Sequence, residues 1–181
     1  MIGSMLFRSL LLIGLVLCAS LAAAEDSGMS SYRLGAGDTL GINIYDEKEL
    51  SVEKARLSDA GTISVPMLGE IKVSGMTVSE LELRVVEGLK QYLINPKVTV
   101  SIVEYRDVFV NGLVHKPGGF PYQHGLTVRK AVAIAGGFKD RASQSYVVII
   151  HEGNDTRKPI KADLSALVMP GDIITVEESF F

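Results

Sequence analysis

The stretch from Val108 to Phe138 limits what this chain can fold into more than any other part of it. Val108 and Val110 alternate with Phe109 and Asn111, the period of two expected of a pleated strand. Lys116-Pro117-Gly118-Gly119 then turns the chain, with proline fixing φ and glycine open to positive φ. Phe120-Pro121-Tyr122 is a second extended piece, because the residue before a proline avoids the helical region. Thr127 stands as N-cap to a helix whose Val128, Ala131, Val132 and Ala135 form one apolar stripe. Gly136-Gly137 closes that helix in the left-handed region. A hairpin, a short helix and further strand form the opening of a β-grasp module, and the expected class is α+β.

Upstream, Gly35-Ala36-Gly37-Asp38 turns into a strand with Leu40, Ile42 and Ile44 on one face. Pro170-Gly171-Asp172 repeats that device before Ile173 to Val176. Asp38 and Asp172 read as turn residues whose carboxylates take nearby backbone N–H groups. Ala60-Gly61-Thr62 turns into Ile63 and Val65, and strand resumes at Glu70 to Val73. Thr77 and Glu80 fit a capping box, opening a helix with Val78, Leu81, Val85, Leu89, Tyr92 and Leu93 on one side. That helix is expected to run to Asn95-Pro96, where proline bars continuation. Val98, Val100 and Ile102 then share a strand face, with a domain boundary expected at Tyr105-Arg106. Further strands are expected from Tyr146 to Ile150 and near Ile160 to Leu164.

At the N-terminus, Arg8 precedes an apolar run from Leu10 to Ala24 that ends Ala22-Ala23-Ala24 before Glu25. A basic start, an apolar centre and small residues at the end make residues 1–24 a secretory signal peptide, cleaved between Ala24 and Glu25. At 1.5 Å per residue the run spans roughly 22 Å as a helix, short of the ~30 Å hydrocarbon core. Cys18, the only cysteine, lies inside the run behind Leu17, where a lipidation site requires a small residue, so the mature protein is expected to be unlipidated. Residues 25–31 form a polar leader. The formal net charge of −3 gives no basic face for nucleic acid.

Catalytic groupings are not evident. His115, His124 and His151 have no thiol or carboxylate at metal-ligand spacing, so no metal and no cofactor is expected, and the chain reads as no enzyme. Gly35-Ala36-Gly37 lacks a third glycine and precedes a strand, unlike a phosphate-cradling loop. Among the tyrosines, Tyr122 beside the hairpin is the candidate to stack on a sugar, with core packing as the alternative. Phe180 and Phe181 are costly to leave in water, and dock either on the protein's own body or on a neighbouring subunit.

The pieces in this order resemble the polysaccharide export proteins of Gram-negative bacteria. Tyr32-Arg33-Leu34-Gly35-Ala36-Gly37-Asp38-Thr39-Leu40, Pro66-Met67-Leu68-Gly69-Glu70-Ile71, Gly75-Met76-Thr77 and Asn95 to Val100 resemble that family's export domain. Gly112, Val114, the Lys-Pro-Gly turn, Leu126-Thr127-Val128 and Ala135-Gly136-Gly137-Phe138 resemble its soluble-ligand-binding β-grasp domain. The resemblance implies an export domain at 32–105 and a β-grasp domain at 106–181. It further implies a periplasmic, outer-membrane-associated, ring-forming homo-oligomer that conducts capsular polysaccharide or exopolysaccharide. The implied partners are an inner-membrane polysaccharide co-polymerase, often with a tyrosine kinase, and a separate outer-membrane barrel protein. A stand-alone periplasmic protein using its β-grasp to bind a sugar or other small ligand is the alternative.

Overall fold

The computed structural model describes residues 32–152 and 158–179; Ala24, Glu25, Phe180 and Phe181, and with them the signal and subunit-contact expectations, lie outside these residues. The class is α+β: among the described residues two helices accompany ten strands. Residues from Arg33 onward belong to one compact unit.

The first sheet is antiparallel, ordered β2-β1-β5, from Val52–Arg56, Thr39–Ile44 and Val98–Glu104. Leu40, Ile42 and Ile44 all point inward, as their alternation requires. Helix α1 (Val78–Leu89) buries Leu81, Val85 and Leu89. Its capping box is complete: the Glu80 N–H donates to Thr77 Oγ1 at 3.2 Å, and the Thr77 N–H to Glu80 Oε2 at 2.8 Å. On the same helix, Glu82 accepts the Val100 N–H at 2.8 Å, satisfying a donor on edge strand β5. The hairpin β3-β4 (Thr62–Val65, Gly69–Lys72) adds buried Ile63 and Val65.

The second sheet is mixed and runs β7-β6-β10-β8-β9, from Gly118–Phe120, Val108–Gly112, Ile173–Val176, Val147–Ile150 and Ile160–Ala162. β10 pairs parallel with β6 and antiparallel with β8. Helix α2 (Val128–Ile134) is capped by Thr127 and closes the inner face. Val128, Ala131 and Val132 join Val108, Val110, Val147, Ile149, Ile174 and Val176 in one core. Hairpin, helix and a central parallel strand make this the β-grasp arrangement.

One strand is added and two local expectations change. Strand β2, VEKAR, is an edge strand with only Ala55 buried, so it carries no apolar alternation to announce it. Helix α1 stops at Leu89, well before Pro96: Leu89 O accepts the N–H of both Tyr92 and Leu93, and Tyr92 and Ile94 face solvent. Gly118 and Gly119, read as turn, are already strand β7, because Phe109 lies over Gly119 and fills the place of its missing side chain.

Gly136 has φ +85, and a Cβ there would meet the Cβ of His115 at 3.1 Å. Gly136→Val is therefore expected to destabilise the fold by about 1–2 kcal/mol or more through left-handed strain. Urea unfolding measures this; an unchanged midpoint would refute it.

Candidate functional site

The two aspartate turns recur in space as well as in sequence. In each, a glycine at positive φ (Gly37, +93; Gly171, +85) occupies the third turn position, as a type II turn requires. The Asp38 N–H donates to Gly35 O at 3.2 Å, and Asp38 Oδ2 accepts the Gly35 N–H at 2.8 Å. The Asp172 N–H donates to Met169 O at 3.1 Å, and Asp172 Oδ2 accepts the Met169 N–H at 2.8 Å. Both carboxylates are buried, at 0% and 1% exposure.

Each carboxylate keeps a second oxygen for a distant partner. Asp38 Oδ1 accepts the Arg106 backbone N–H at 2.9 Å, and Oδ2 lies 3.2 Å from Arg106 Nη1. Arg106 Nε approaches Glu152 Oε2 to 2.7 Å, an ionic contact without the angle of a hydrogen bond. The guanidinium thus lies between the first turn and the end of β8. A Cβ on Gly171 would stand 1.9 Å from Glu152 Oε2 and 2.6 Å from Arg106 Nε, so a side chain there would displace this ion pair on a backbone already in the left-handed region. Asp172 Oδ1 lies 2.8 Å from His151 Nδ1. Burial pushes the Asp172 carboxyl up from its ordinary value, while the Met169 N–H, His151 and Arg106 act against the rise.

Tyr105, Arg106 and Asp107 are all that separate β5 from β6. Asp107 O accepts the Gly171 N–H at 3.1 Å, so this short link is held on one side by the first turn and on the other by the second. Tyr105 also packs edge-on against Tyr122, ring centroids 5.2 Å apart at 72°.

That contact corrects one expectation. Tyr122 is buried in the second core and offers no open face to a sugar, and burial raises its phenol pKa. His115 and His124 are exposed, and His151, a partly exposed residue just past β8, reaches the buried Asp172 carboxylate. The recurrence of Gly-Asp before two strands was the visible signal of the cluster; Arg106, sixty-eight residues from Asp38, carried none.

A second feature lies on the outer face of the first sheet. Gly41, Asn43 and Tyr45 run along a groove flanked by Glu53 of β2 and by Ser101 and Val103 of β5. Among the described residues, no helix is long and apolar enough to cross a membrane.

Comparison with known proteins yields two family matches in series. Residues 26–103 match the polysaccharide biosynthesis/export protein family, and residues 108–158 match the SLBB domain. The exopolysaccharide production protein ExoF of Rhizobium meliloti is 32% identical over 136 residues, covering 67% of this chain and 30% of that protein. The EPS I polysaccharide export outer membrane protein EpsA of Ralstonia nicotianae is 32% identical over 111 residues, covering 48% and 29%. Its counterpart in Ralstonia solanacearum is 27% identical over 186 residues, covering 81% and 48%. The chain thus spans between about a third and a half of the length of these relatives.

Asp38→Ala leaves the guanidinium of Arg106 buried without its main counter-charge, and is expected to cost roughly 3–5 kcal/mol in urea unfolding. Glu152→Ala removes a half-exposed partner and should cost less than about 1 kcal/mol. Equal losses would contradict this account.

Asp172 gives a pH signature. Its folded pKa lies above the unfolded value, so its contribution to stability is fully present below the ordinary carboxylate range. That contribution is lost as the pH rises through the folded value. Asp172→Asn cannot ionise, so the difference between variant and wild-type unfolding free energies should vary across that window. Parallel curves would rule the effect out.

Proposed function

The chain belongs to the polysaccharide export protein family, and from that membership we propose that it carries capsular polysaccharide or exopolysaccharide across the cell envelope. The observation that carries this reading is the tandem of family segments, 26–103 followed by 108–158. The family is one of transport and export proteins. The names of its relatives, exopolysaccharide production protein and polysaccharide export outer membrane protein, support a place in the envelope.

In this reading residues 1–24 direct secretion, cleavage falls between Ala24 and Glu25, and the unlipidated protein works in the periplasm against the outer membrane. Residues 32–105 act as the export domain and 106–181 as the ligand-binding domain. Copies of the chain associate into a ring around the polymer. Polymer arrives from an inner-membrane co-polymerase with its tyrosine kinase, and leaves through a separate outer-membrane barrel. What the chain contributes is geometry: passage needs a path with weak polar contacts, and bond-making and energy come from the partners.

Deleting the gene is expected to abolish surface polysaccharide while sparing the enzymes that build its repeat units. Immunoblotting of intact cells for the polymer checks this, and normal surface polymer in a strain without a second copy would end the proposal.

A further inference from the structure

We infer that the outer groove of the first sheet is a binding site for uncharged sugar units of the transported polysaccharide, with Tyr45 as its stacking platform. The inference rests on the export reading and adds to it the place and chemistry of one polymer contact.

The groove follows from strand alternation. While Leu40, Ile42 and Ile44 turn inward, Gly41 and Asn43 turn out, and Tyr45 follows them. Gly41 pairs with Ser101 and leaves the floor without a side chain. A Cβ at Gly41 would stand 3.1 Å from Ser101 Oγ and 3.3 Å from both Glu53 O and Val103 Cγ2. The result is a trough floored by backbone and a small hydroxyl, with an aromatic ring at one end.

Tyr45 is 74% exposed, yet its position is set by its surroundings. Its N–H donates to Lys97 O at 2.9 Å, and Lys97 Nζ lies 5.7 Å from the ring centroid. The loop that follows is tied by Ser51, whose hydroxyl accepts the Ile44 N–H at 2.9 Å and donates to Glu47 O at 3.0 Å. A large ring held in solvent on an ordered backbone needs little further ordering when a ligand stacks on it.

The chemistry around the ring matches a pyranose. A sugar ring presents an apolar C–H face to an aromatic surface and a rim of hydroxyls to donors and acceptors. Here Asn43, Glu53 and Ser101 line the trough beside Tyr45, with the Ser101 hydroxyl and the Glu53 backbone carbonyl at the Gly41 floor. Around Tyr45, Asp46 and Glu53 are balanced by Lys48 and Lys97, so the groove has no net charge with which to select a charged polymer and leaves hydroxyl groups as the feature to be read.

The test uses short oligosaccharides prepared by mild hydrolysis of the producing organism's own polymer, titrated into the isotope-labelled chain isolated from the envelope of expressing cells. Saturable amide shifts at Gly41, Asn43 and Ser101 are expected. Tyr45→Ala should weaken binding about tenfold, the size of effect that loss of one aromatic stacking contact produces. Tyr45→Phe should keep most of the affinity, and Leu83→Ala, on the exposed side of α1, should change nothing. Binding that maps elsewhere, or that survives Tyr45→Ala, overturns the groove as the site and leaves the export reading standing. No binding overturns the inference as well. Concentration-dependent shifts in the groove without sugar would assign the face to self-association and refute it. The export reading falls only with the deletion strain.

Discussion

The ion pair of Arg106 with Asp38 holds this structure to one arrangement. Asp38 is inaccessible to water and Arg106 nearly so, its side chain 13% exposed. Two charges at that depth are stabilising only while both are present and well placed, since either alone carries a large desolvation penalty. The pair does not rank as a great net source of stability. It makes every other placement of the segment between β5 and β6 worse. Around it, the Arg106 N–H is fixed to the first turn and the Asp107 carbonyl to the second. The sheets on either side therefore follow one from the other through a link too short and too well bonded to swing freely.

The parts of the fold that sequence reveals are those whose causes are local. Thr77 and Thr127 cap helices, Gly136 ends one, and Leu40, Ile42 and Ile44 face inward, each for reasons contained within a few residues. Asp38 and Asp172 were legible as turn carboxylates for the same reason. Their second partners were not, because Arg106 reaches Asp38 only once β5 pairs with β1, and His151 reaches Asp172 only once β8 pairs with β10. Strand β2 escaped notice because an edge strand is allowed to be charged. Tyr122 looked like a surface residue because it sits between a proline and a glutamine, and only the second core, with Tyr105 packed edge-on against the ring, buries it.

The distribution of chemistry in the molecule fits a protein that guides a polymer. Its ionisable groups of unusual surroundings are spent within the framework, where Asp172 meets His151 and Asp38 meets Arg106. The open groove, by contrast, carries an ordered aromatic ring and ordinary polar groups. Contacts of that kind are individually weak and quickly exchanged. A moving chain needs such contacts, because a tight site would stop it.

The position of β10 has a consequence for how the molecule is made. Hairpin β6-β7 and hairpin β8-β9 can each form from neighbouring residues, but no ladder joins them until β10 enters between β6 and β8. The strand at the middle of the sheet is thus the last to be synthesised of the five. Until it arrives, two unpaired edges stand open and the Asp172 turn that abuts the Arg106 link does not exist. Such late, distant pairing makes folding slow and leaves the partial chain prone to pairing with its neighbours. Assembly of this unit is a closing step that waits for β10, and a ribosome stall or proteolytic nick before Asp172 would leave sticky halves in place of a smaller folded protein.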